Sequence, residues 1–371
     1  MSQRTETRVR IRPDIAAMEA YSPTASLEVF AQRLGLAAET LVKLDANENP
    51  YGPSPRALEA LAQLSTAHIY PDPEARHLRE KLSAYLGVDA AHILVGAGAD
   101  DLIMLLLQLF IAPDDVVVNC PPTFSMYAFD APIAHGRAVN VPRRADFSLD
   151  VDGIERAVRA HNAKLLFLCS PNNPDGSLIP PETVERLLAL PTVVVLDEAY
   201  QEFSEAPSWA ARVPQAPNLV VLRTFSKFAG LAGLRVGYGV LPLEIIGHLW
   251  KIKQPYNLNV AADVAARASL DDLPRLQANV RRIIAERKRL AEALAAFPFL
   301  HPYPSRANFV LCRVEGRSAR ALHAALARRG VLVRYFDKPG LRDHIRISAG
   351  TPAQTEALLA ALHEIAEEET P

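Results

Sequence analysis

The sequence predicts an α/β protein with a large domain, in which helices cover a mostly parallel seven-stranded sheet, and a smaller α+β domain at the C-terminus. The first observation is seven short apolar runs, rich in Val, Ile and Leu on both faces, between residues 92 and 242. Such runs are typical of strands that helices cover on both sides. The second is that helical patterns separate several runs, which indicates β-α-β crossovers. The third is a change after about residue 242 to long amphipathic helices and short strands.

The elements follow one another in a simple order. The seven runs are HILVGAGA, DVVVNCPP, GRAVNVP, KLLFLCSP, TVVVLDEAY, NLVVLRTFSK and RVGYGVLP. The small domain is predicted from the helix LQANVRRIIAERKRLAEALAAF and the strands ANFVLCRV, GVLVRYF and HIRISAG. We therefore divide the chain into an arm with a short helix (1–45), a large domain (46–260) and a small C-terminal domain (261–371).

Composition and charge exclude several classes of protein. A formal net charge of −2 over 371 residues gives no reason to expect a nucleic-acid or membrane partner. The longest largely apolar stretch, Leu102–Ala112, is too short to span a bilayer, and the polar N-terminus shows no secretory signal. Cys120, Cys169 and Cys312 lie in separate apolar runs, as reduced thiols do in a cytoplasmic protein. The histidines show no metal-ligand spacing, so no metal site is expected.

Polar residues closely follow four of the apolar runs. They are the pairs or short segments at residues 96–98, 172–173, 197–198 and 226–227. Ligands of open α/β sheets gather at the carboxyl ends of parallel strands, which meet at one edge. The sequence therefore predicts a ligand site at that edge.

The first of these segments is a candidate phosphate site. A strand ends in Gly96-Ala97-Gly98, and a helix begins at Ala99. The free amides and the dipole of a helix N-terminus bind anions. An ordinary strand–helix turn explains the pattern equally well. A dinucleotide fingerprint is excluded because Asp101 occupies the position of the third glycine, and no GK[ST] follows for a Walker A loop.

Three other residues suit a flat, charged ligand. Asp197 closes an apolar strand, where a carboxylate is costly unless it meets a cation such as a ring nitrogen. Asn173 offers an amide, and Phe124 offers a ring for stacking. Helix capping, turn chemistry and core packing are the respective alternatives.

Lys227 decides between these alternatives. It lies beside Thr224, Ser226 and Arg235, whose hydroxyls and guanidinium suit a phosphate. An amine held away from water near a cation has a lowered pKa and attacks aldehydes. A solvated lysine on a surface loop is the alternative. A phosphate site, a carboxylate for a ring nitrogen and an aldehyde-trapping amine together describe pyridoxal 5′-phosphate.

The motifs that carry these residues resemble the fold-type I pyridoxal-phosphate aminotransferases, and within them the histidinol-phosphate branch. TFSKFAGLAGLR (224–235) and DEAY (197–200) indicate the wider class, and NENPYG and PYNLN indicate the branch. The resemblance covers nearly the whole chain. The other matching segments are LDANENPYG, YPDP, GAGADD, PPTFSMY, SPNNPDG, ANFVL and IRISAG.

The resemblance implies a role for each matching residue. Lys227 would form the internal aldimine and act as general base, Asp197 would keep the pyridine nitrogen protonated, and Tyr200 would bind the ring hydroxyl. The other cofactor contacts would come from the amides of Ala99 and Asp100 and the side chains of Phe124, Asn173, Thr224, Ser226 and Arg235. Tyr70 would reach the cofactor phosphate of a neighbouring subunit, which implies a homodimer whose arms pack against the small domain or the partner.

The resemblance also implies the substrates, histidinol phosphate and 2-oxoglutarate, exchanged by ping-pong kinetics. Their anionic ends would meet Arg346, with Arg334, Tyr21 and Asn47 nearby. Pairing of Arg334 with a surface carboxylate such as Asp337 is the alternative. The rival activities are aromatic amino-acid transamination and threonine-phosphate decarboxylation. A DNA-binding regulator and a nicotinamide oxidoreductase are disfavoured, because neither a helix-turn-helix pattern nor a GxGxxG is present.

Two positions depart from the pattern of the family. Asp175 stands where a threonine is usual, and it adds a negative charge near the expected anion site. We expect changes in the local turn only, because Asn173 is retained. Phe124 stands where tyrosine is commoner, which keeps the stacking ring and removes one hydroxyl.

Overall fold

The computed structural model describes residues 10–21 and 24–368, so the predicted arm (1–45) lies partly outside the described residues. The strands are β1 Val42–Leu44, β2 Ile93–Gly96, β3 Val116–Asn119, β4 Arg137–Asn140, β5 Leu165–Cys169, β6 Val193–Asp197, β7 Leu219–Thr224, β8 Gly237–Val240, β9 Leu300–Pro302, β10 Phe309–Val314, β11 Val331–Tyr335 and β12 His344–Ser348. The helices are α1 Pro13–Ala16, α2 Leu27–Leu34, α3 Pro55–Ala62, α4 Arg76–Leu86, α5 Ala99–Phe110, α6 Met126–Ile133, α7 Val151–His161, α8 Pro181–Leu188, α9 Leu243–Ile252, α10 Val260–Leu270, α11 Leu273–Ala295, α12 Ala319–Arg328 and α13 Pro352–Glu368.

The large sheet confirms the predicted fold class. All seven apolar runs form strands, in the spatial order β2-β8-β7-β6-β5-β3-β4. Only β8 is antiparallel to its neighbours, β2 and β7. Since β8 reverses direction against both, β2 runs parallel to β7 and ends at the same edge of the sheet.

Helices cover both faces of this sheet. Along β5, Leu166 and Leu168 belong to one hydrophobic cluster, which α7 and α8 complete. Leu165 and Phe167 belong to another, which α5, α6 and α9 complete. Burial on both faces is the reason that the strand sequences are continuously apolar.

The small domain contains a five-stranded sheet in the order β1-β11-β12-β10-β9. Strands β10, β11 and β12 match the predicted runs. Strands β1 and β9 were not predicted, because three residues are too few to show a period of two. The arm contributes β1, which pairs in parallel with β11. The exact boundaries between the domains stay a prediction.

Two further properties of the described residues concern the cysteines and the helices. Cys120, Cys169 and Cys312 are buried and unpaired. Within residues 10–21 and 24–368, we find no helix with the length and apolarity that a membrane crossing requires.

Candidate active site

Four parallel strands bring the predicted site residues to one edge of the large sheet. Strands β2, β5, β6 and β7 end there at Gly96, Cys169, Asp197 and Thr224. The pairing confirms this arrangement, because Asp197 lies opposite both Cys169 and Leu222 on its neighbours. The site is built in the loops that follow these ends.

The start of α5 forms one wall of the site. Its N-cap, Gly98, has a φ of +87° and provides no side-chain cap, so the first amides of the helix stay available to an anion. A Cβ on Gly98 would lie 2.5 Å from Arg235 Nη2, and a Cβ on Gly237 would lie 2.3 Å from the Ala99 nitrogen. Both glycines are therefore required for the close approach of the α5 N-terminus to Arg235.

Arg235 and two hydroxyls surround the same helix end. Arg235 adopts a left-handed backbone conformation, and its Nη2 donates to Asp100 Oδ2 over 2.6 Å. The hydroxyls of Thr224 and Ser226 lie 2.9 Å apart, and the Ser226 amide donates to Thr224 Oγ1 over 3.0 Å. These donors suit a phosphate, which an arginine can share with a carboxylate.

Lys227 is partly buried beside this group. Its Nζ donates to the Ala46 carbonyl over 3.1 Å and lies 5.9 Å from the centre of the Tyr200 ring. Burial, and then the positive charge of Arg346, lower the pKa of Lys227 to about 8. A neutral amine is therefore accessible near neutral pH.

Asp197 is a buried carboxylate with two fixed donors. It is 3% exposed. Its Oδ2 accepts a hydrogen bond of 2.6 Å from the Tyr127 hydroxyl, and its Oδ1 accepts one of 2.9 Å from the Ala199 amide. Burial raises the pKa of Asp197 to about 6, although both hydrogen bonds oppose this effect. A cation placed beside this carboxylate would restore its usual acidity.

Asn47, just after the arm, forms hydrogen bonds with residues of both domains. Its Nδ2 donates to the Tyr200 hydroxyl over 3.1 Å, and its Oδ1 accepts from Ser348 Oγ over 3.1 Å. Its amide donates to Ser348 Oγ, and its carbonyl accepts from Asn308 Nδ2. Burial raises the pKa of Tyr200, so this hydroxyl stays protonated. Asn47 thus orients Tyr200, and its contact with substrate stays a prediction.

Arg346 lies under the site, at 5% exposure. Its Nη1 donates to Asn173 Oδ1 over 2.5 Å, and its Nη2 donates to the Asp45 carbonyl over 2.7 Å. Its Nε is buried and has no hydrogen-bond partner among the residues that the structure describes. Burial lowers the pKa of Arg346 to about 10, which leaves it charged at neutral pH. A buried cation without a paired carboxylate suits an incoming anion.

Two further predicted residues are Phe124 and Arg334. Phe124 is partly buried and packs edge-on against Tyr127, with ring centres 5.5 Å apart. Arg334 pairs in register with Arg346, and its guanidinium lies 5.5 Å from the Phe336 ring centre. The carboxylate considered for Arg334, Asp337, binds Arg320 and Arg342.

Two predicted tyrosines are exposed. Tyr21 contacts Phe129 edge-on, with ring centres 6.0 Å apart. Tyr70 is 78% exposed and stacks on Tyr256 at 4.5 Å. Within the single chain, Tyr70 therefore faces outward.

Asp175 points into its own turn. Its carboxylate accepts hydrogen bonds from the Asn172 amide group and from the Ser177 backbone nitrogen. It is 2% exposed. These two donors offset part of the charge of Asp175 within the turn. Its effect on anion binding stays a prediction.

Sequence reasoning missed the roles of Tyr127, Ser348 and Asn308. Tyr127 was visible only as the last letter of PPTFSMY, three residues after Phe124, which is the spacing of neighbours on a helix. No sequence signal links Tyr127 to Asp197 or Asn308 to Asn47, because these pairs are 70 and 261 residues apart.

The donor set fits pyridoxal 5′-phosphate. The uncapped helix end, Arg235 and the two hydroxyls match a phosphate, whereas buried Asp197 matches a cationic ring nitrogen. Lys227 matches an aldehyde. The close approach at Gly98 and Gly237 leaves backbone amides where a phosphate needs them.

Comparisons with known proteins agree with this fit. The family described as aminotransferase class I and II matches residues 39–362. A histidinol-phosphate aminotransferase of Roseiflexus castenholzii is 56% identical over 364 residues, covering 96% of this chain and 98% of that protein. The crystal structure of histidinol-phosphate aminotransferase from Sinorhizobium meliloti in complex with pyridoxal-5′-phosphate superposes with a TM-score of 0.89 at 31% identity, covering 98% of this chain and 100% of that one. L-threonine-O-3-phosphate decarboxylase from Porphyromonas gingivalis superposes with a TM-score of 0.78 at 25% identity, covering 88% and 100%.

Proposed function

The chain belongs to the class I and II aminotransferases, and from that premise we propose that it transfers the amino group of L-histidinol phosphate to 2-oxoglutarate, which yields imidazole acetol phosphate and L-glutamate. The observation that carries the proposal is the Lys227 amine, whose pKa is lowered to about 8, at the same sheet edge as buried Asp197. The identity of 56% over nearly the full length supports this substrate. The reaction is a step of histidine biosynthesis.

Pyridoxal 5′-phosphate, when bound, supplies the aldehyde that takes up the amino group and the ring that accepts electrons from the substrate Cα. The chain's own residues hold that ring and move the proton. Buried Asp197 would pair with the ring nitrogen, and Tyr200 and Asn173 would bind the ring hydroxyl. Phe124 lies beside Tyr127 and would stack on the ring.

Lys227 has two tasks in this proposal. Its neutral nitrogen would hold the cofactor at the aldehyde carbon in the resting enzyme, and it would serve as the base that takes the proton from the substrate Cα. A well-placed general base accelerates proton transfer by roughly 10²–10⁴-fold. The Ala46 carbonyl, 3.1 Å away, accepts a hydrogen bond from Nζ and so orients the amine.

Arg346 and Arg334 form the anion receptor of the proposal. They lie side by side on β12 and β11, and the Nε of Arg346 is buried without a hydrogen-bond partner in the described part of the chain. Histidinol phosphate presents a phosphate, and 2-oxoglutarate presents two carboxylates. A guanidinium binds either group through two parallel hydrogen bonds, so one receptor serves both half-reactions.

Threonine-phosphate decarboxylation is the second candidate, because that substrate is also a phosphorylated amine and its enzyme shares the fold at a TM-score of 0.78. The higher identity to histidinol-phosphate aminotransferases, 56% against 25%, favours transamination. Aromatic amino-acid transamination is the third.

The proposal includes a cytoplasmic homodimer. Tyr70 is 78% exposed in the single chain, and in a dimer it would reach the cofactor phosphate of the partner. The three buried, unpaired cysteines suit a reducing compartment. Small molecules, rather than nucleic acid or membrane, are the other partners.

One assay separates the three activities. Purified protein is reconstituted with pyridoxal 5′-phosphate and incubated with 2-oxoglutarate and one amine at a time: histidinol phosphate, phosphothreonine or phenylalanine. We expect kcat/KM for histidinol phosphate to exceed the others at least a hundredfold, with parallel double-reciprocal lines. Release of CO₂ from phosphothreonine without formation of glutamate would instead identify a decarboxylase.

A further inference from the structure

Tyr127 is a buried tyrosine whose hydroxyl bonds to the central carboxylate of the site. It lies in the first turn of α6 and is 0% exposed. Its hydroxyl donates to Asp197 Oδ2 over 2.6 Å, while the Ala199 amide donates to Oδ1. Because the two oxygens have separate donors on separate elements, the carboxylate cannot rotate without losing at least one hydrogen bond.

The direction of this hydrogen bond is fixed by both partners. Burial and the neighbouring carboxylate raise the pKa of Tyr127 well above its ordinary value, so the phenol keeps its proton and acts as donor. An ionised carboxylate only accepts. The bond therefore stabilises the charged form of Asp197, against the burial that favours the neutral form.

The ring of Tyr127 is equally constrained. It stacks on Phe167 with ring centres 4.8 Å apart and planes 5° from parallel. Its other neighbour is Phe124, edge-on at 5.5 Å. Phe167 belongs to β5, so the sheet itself fixes the position of the hydroxyl.

We propose that Tyr127 is a positioning residue for the proposed reaction: its hydroxyl keeps Asp197 ionised and oriented toward the ring nitrogen of the cofactor, and its ring supports Phe124 at the stacking position. The inference rests on the proposed function only in taking the ring that Asp197 faces to be that of pyridoxal 5′-phosphate. The bond between Tyr127 and Asp197 belongs to the protein alone and can be tested without substrate.

The other groups that face Asp197 do not replace this bond. Cys169 lies opposite it on β5, and burial raises the pKa of that thiol, which stays neutral. The charge of Asp100 raises the pKa of Asp197, and the charge of Lys227 lowers it, each by less than burial or the hydrogen bond from Tyr127. Among residues 10–21 and 24–368, the direct donors to Asp197 are the Tyr127 hydroxyl and the Ala199 amide.

The test compares Tyr127→Phe with Tyr238→Phe. Tyr238 is also 0% exposed, and its hydroxyl has no hydrogen-bond partner among the described residues. Tyr238→Phe therefore removes the same hydroxyl oxygen without breaking a hydrogen bond. The Asp197 carboxyl is followed by carbon-13 NMR in cofactor-free protein labelled at aspartate, and its signal is assigned by its loss in Asp197→Asn. We expect its titration midpoint to rise by about one to two pH units in Tyr127→Phe and to stay unchanged in Tyr238→Phe.

The holoenzyme provides a second readout. In Tyr127→Phe, the midpoint of the acid limb of the kcat–pH profile should rise by the same interval of about one to two pH units. The KM for the amino donor should change less than threefold. An unchanged Asp197 midpoint in Tyr127→Phe, or an equal shift in Tyr238→Phe, would overturn the inference. If the wild-type protein does not transaminate histidinol phosphate, the proposed function fails, whereas the NMR titration still decides the role of Tyr127.

Discussion

Arg346 donates to Asn173 across the junction of the two sheets, with Nη1 2.5 Å from the amide oxygen. Arg346 lies on β12 of the small sheet, and Asn173 follows β5 of the large one. The proposed anion receptor and the proposed cofactor site thus share a hydrogen bond. Substrate that binds Arg346 would act directly on Asn173, which we propose to contact the cofactor ring.

Replacing the two arginines should affect kcat/KM for different substrates. Arg346→Ala should lower kcat/KM about ten- to a hundredfold for both histidinol phosphate and glutamate, because each presents an anion to it. Arg334→Ala should affect glutamate more, since glutamate has a second carboxylate. The control is Arg342→Ala, which removes an exposed partner of Asp337. Unchanged kinetics of Arg346→Ala with both substrates would place the receptor elsewhere.

Asp197→Asn should stabilise the cofactor-free protein while it removes most activity. Burial raises the pKa of Asp197 from 3.8 to about 6, so the folded state holds this proton more tightly than the unfolded state. The penalty grows as pH rises from about 4 to 6 and is complete above 6, where a shift of about two units is worth about 3 kcal/mol. Denaturation at pH 5 and pH 8 should show a larger gain at pH 8.

The neighbouring Glu198 provides the control for this prediction. Its carboxylate lies 3.6 Å from the buried Arg223 guanidinium. Glu198→Gln should therefore destabilise the protein, because it weakens a buried ion pair. If Asp197→Asn were also destabilising at pH 8, the description of Asp197 as a buried carboxylate without a neutralising cation would be wrong.

The reactivity of Lys227 toward aldehydes should rise with pH as the amine loses its proton, with a midpoint at its pKa of about 8. This lowered pKa means that the amine is mostly charged at pH 7 and mostly neutral at pH 9. Cofactor-free protein is treated briefly with pyridoxal, quenched with borohydride and analysed by peptide mass spectrometry. Labelling of Lys227 should rise about fivefold from pH 7 to 8 and level off above pH 9. A tenfold rise per unit up to pH 10 would contradict the lowered pKa.

Gly98→Ala should weaken the binding of the cofactor through its phosphate. The new Cβ would lie 2.5 Å from Arg235 Nη2, at a φ of +87° that L residues rarely adopt. Affinity for pyridoxal 5′-phosphate, measured by equilibrium dialysis, should fall at least about tenfold, a loss of about 1.4 kcal/mol. Gly233→Ala is the matched control, because nothing lies within 4 Å of its Cβ. Equal losses in both variants would show a general effect of the loop.

Subunit mixing should test the role of Tyr70. Tyr70→Phe and Lys227→Ala proteins are each expected to be impaired, and mixed dimers should regain one intact site if Tyr70 acts across the interface. The measurement is specific activity after joint refolding, compared with the mean of the two parents. No recovery in dimers of confirmed mixed composition would argue that each site is complete within one chain.

The sequence alone determined the fold class and the edge of the sheet at which we propose the site. Continuous apolar runs indicate strands that are buried on both faces, which is a local property of each strand. Polar residues at the ends of the runs indicate the edge of the sheet where ligands bind. Lys227, Asp197 and Thr224 were located in this way. Strands β1 and β9 were missed, since they are too short for their pattern to be read.

Only the tertiary structure decided which side chains meet. The contacts Tyr127–Asp197, Asn47–Tyr200 and Arg346–Asn173 join residues 70, 153 and 173 positions apart. Such contacts depend on crossover connections and on the packing of two sheets, and no local pattern encodes them. The same packing sets the pKa values of Lys227 and Asp197, because burial and neighbouring charges, rather than residue type, shift a proton equilibrium.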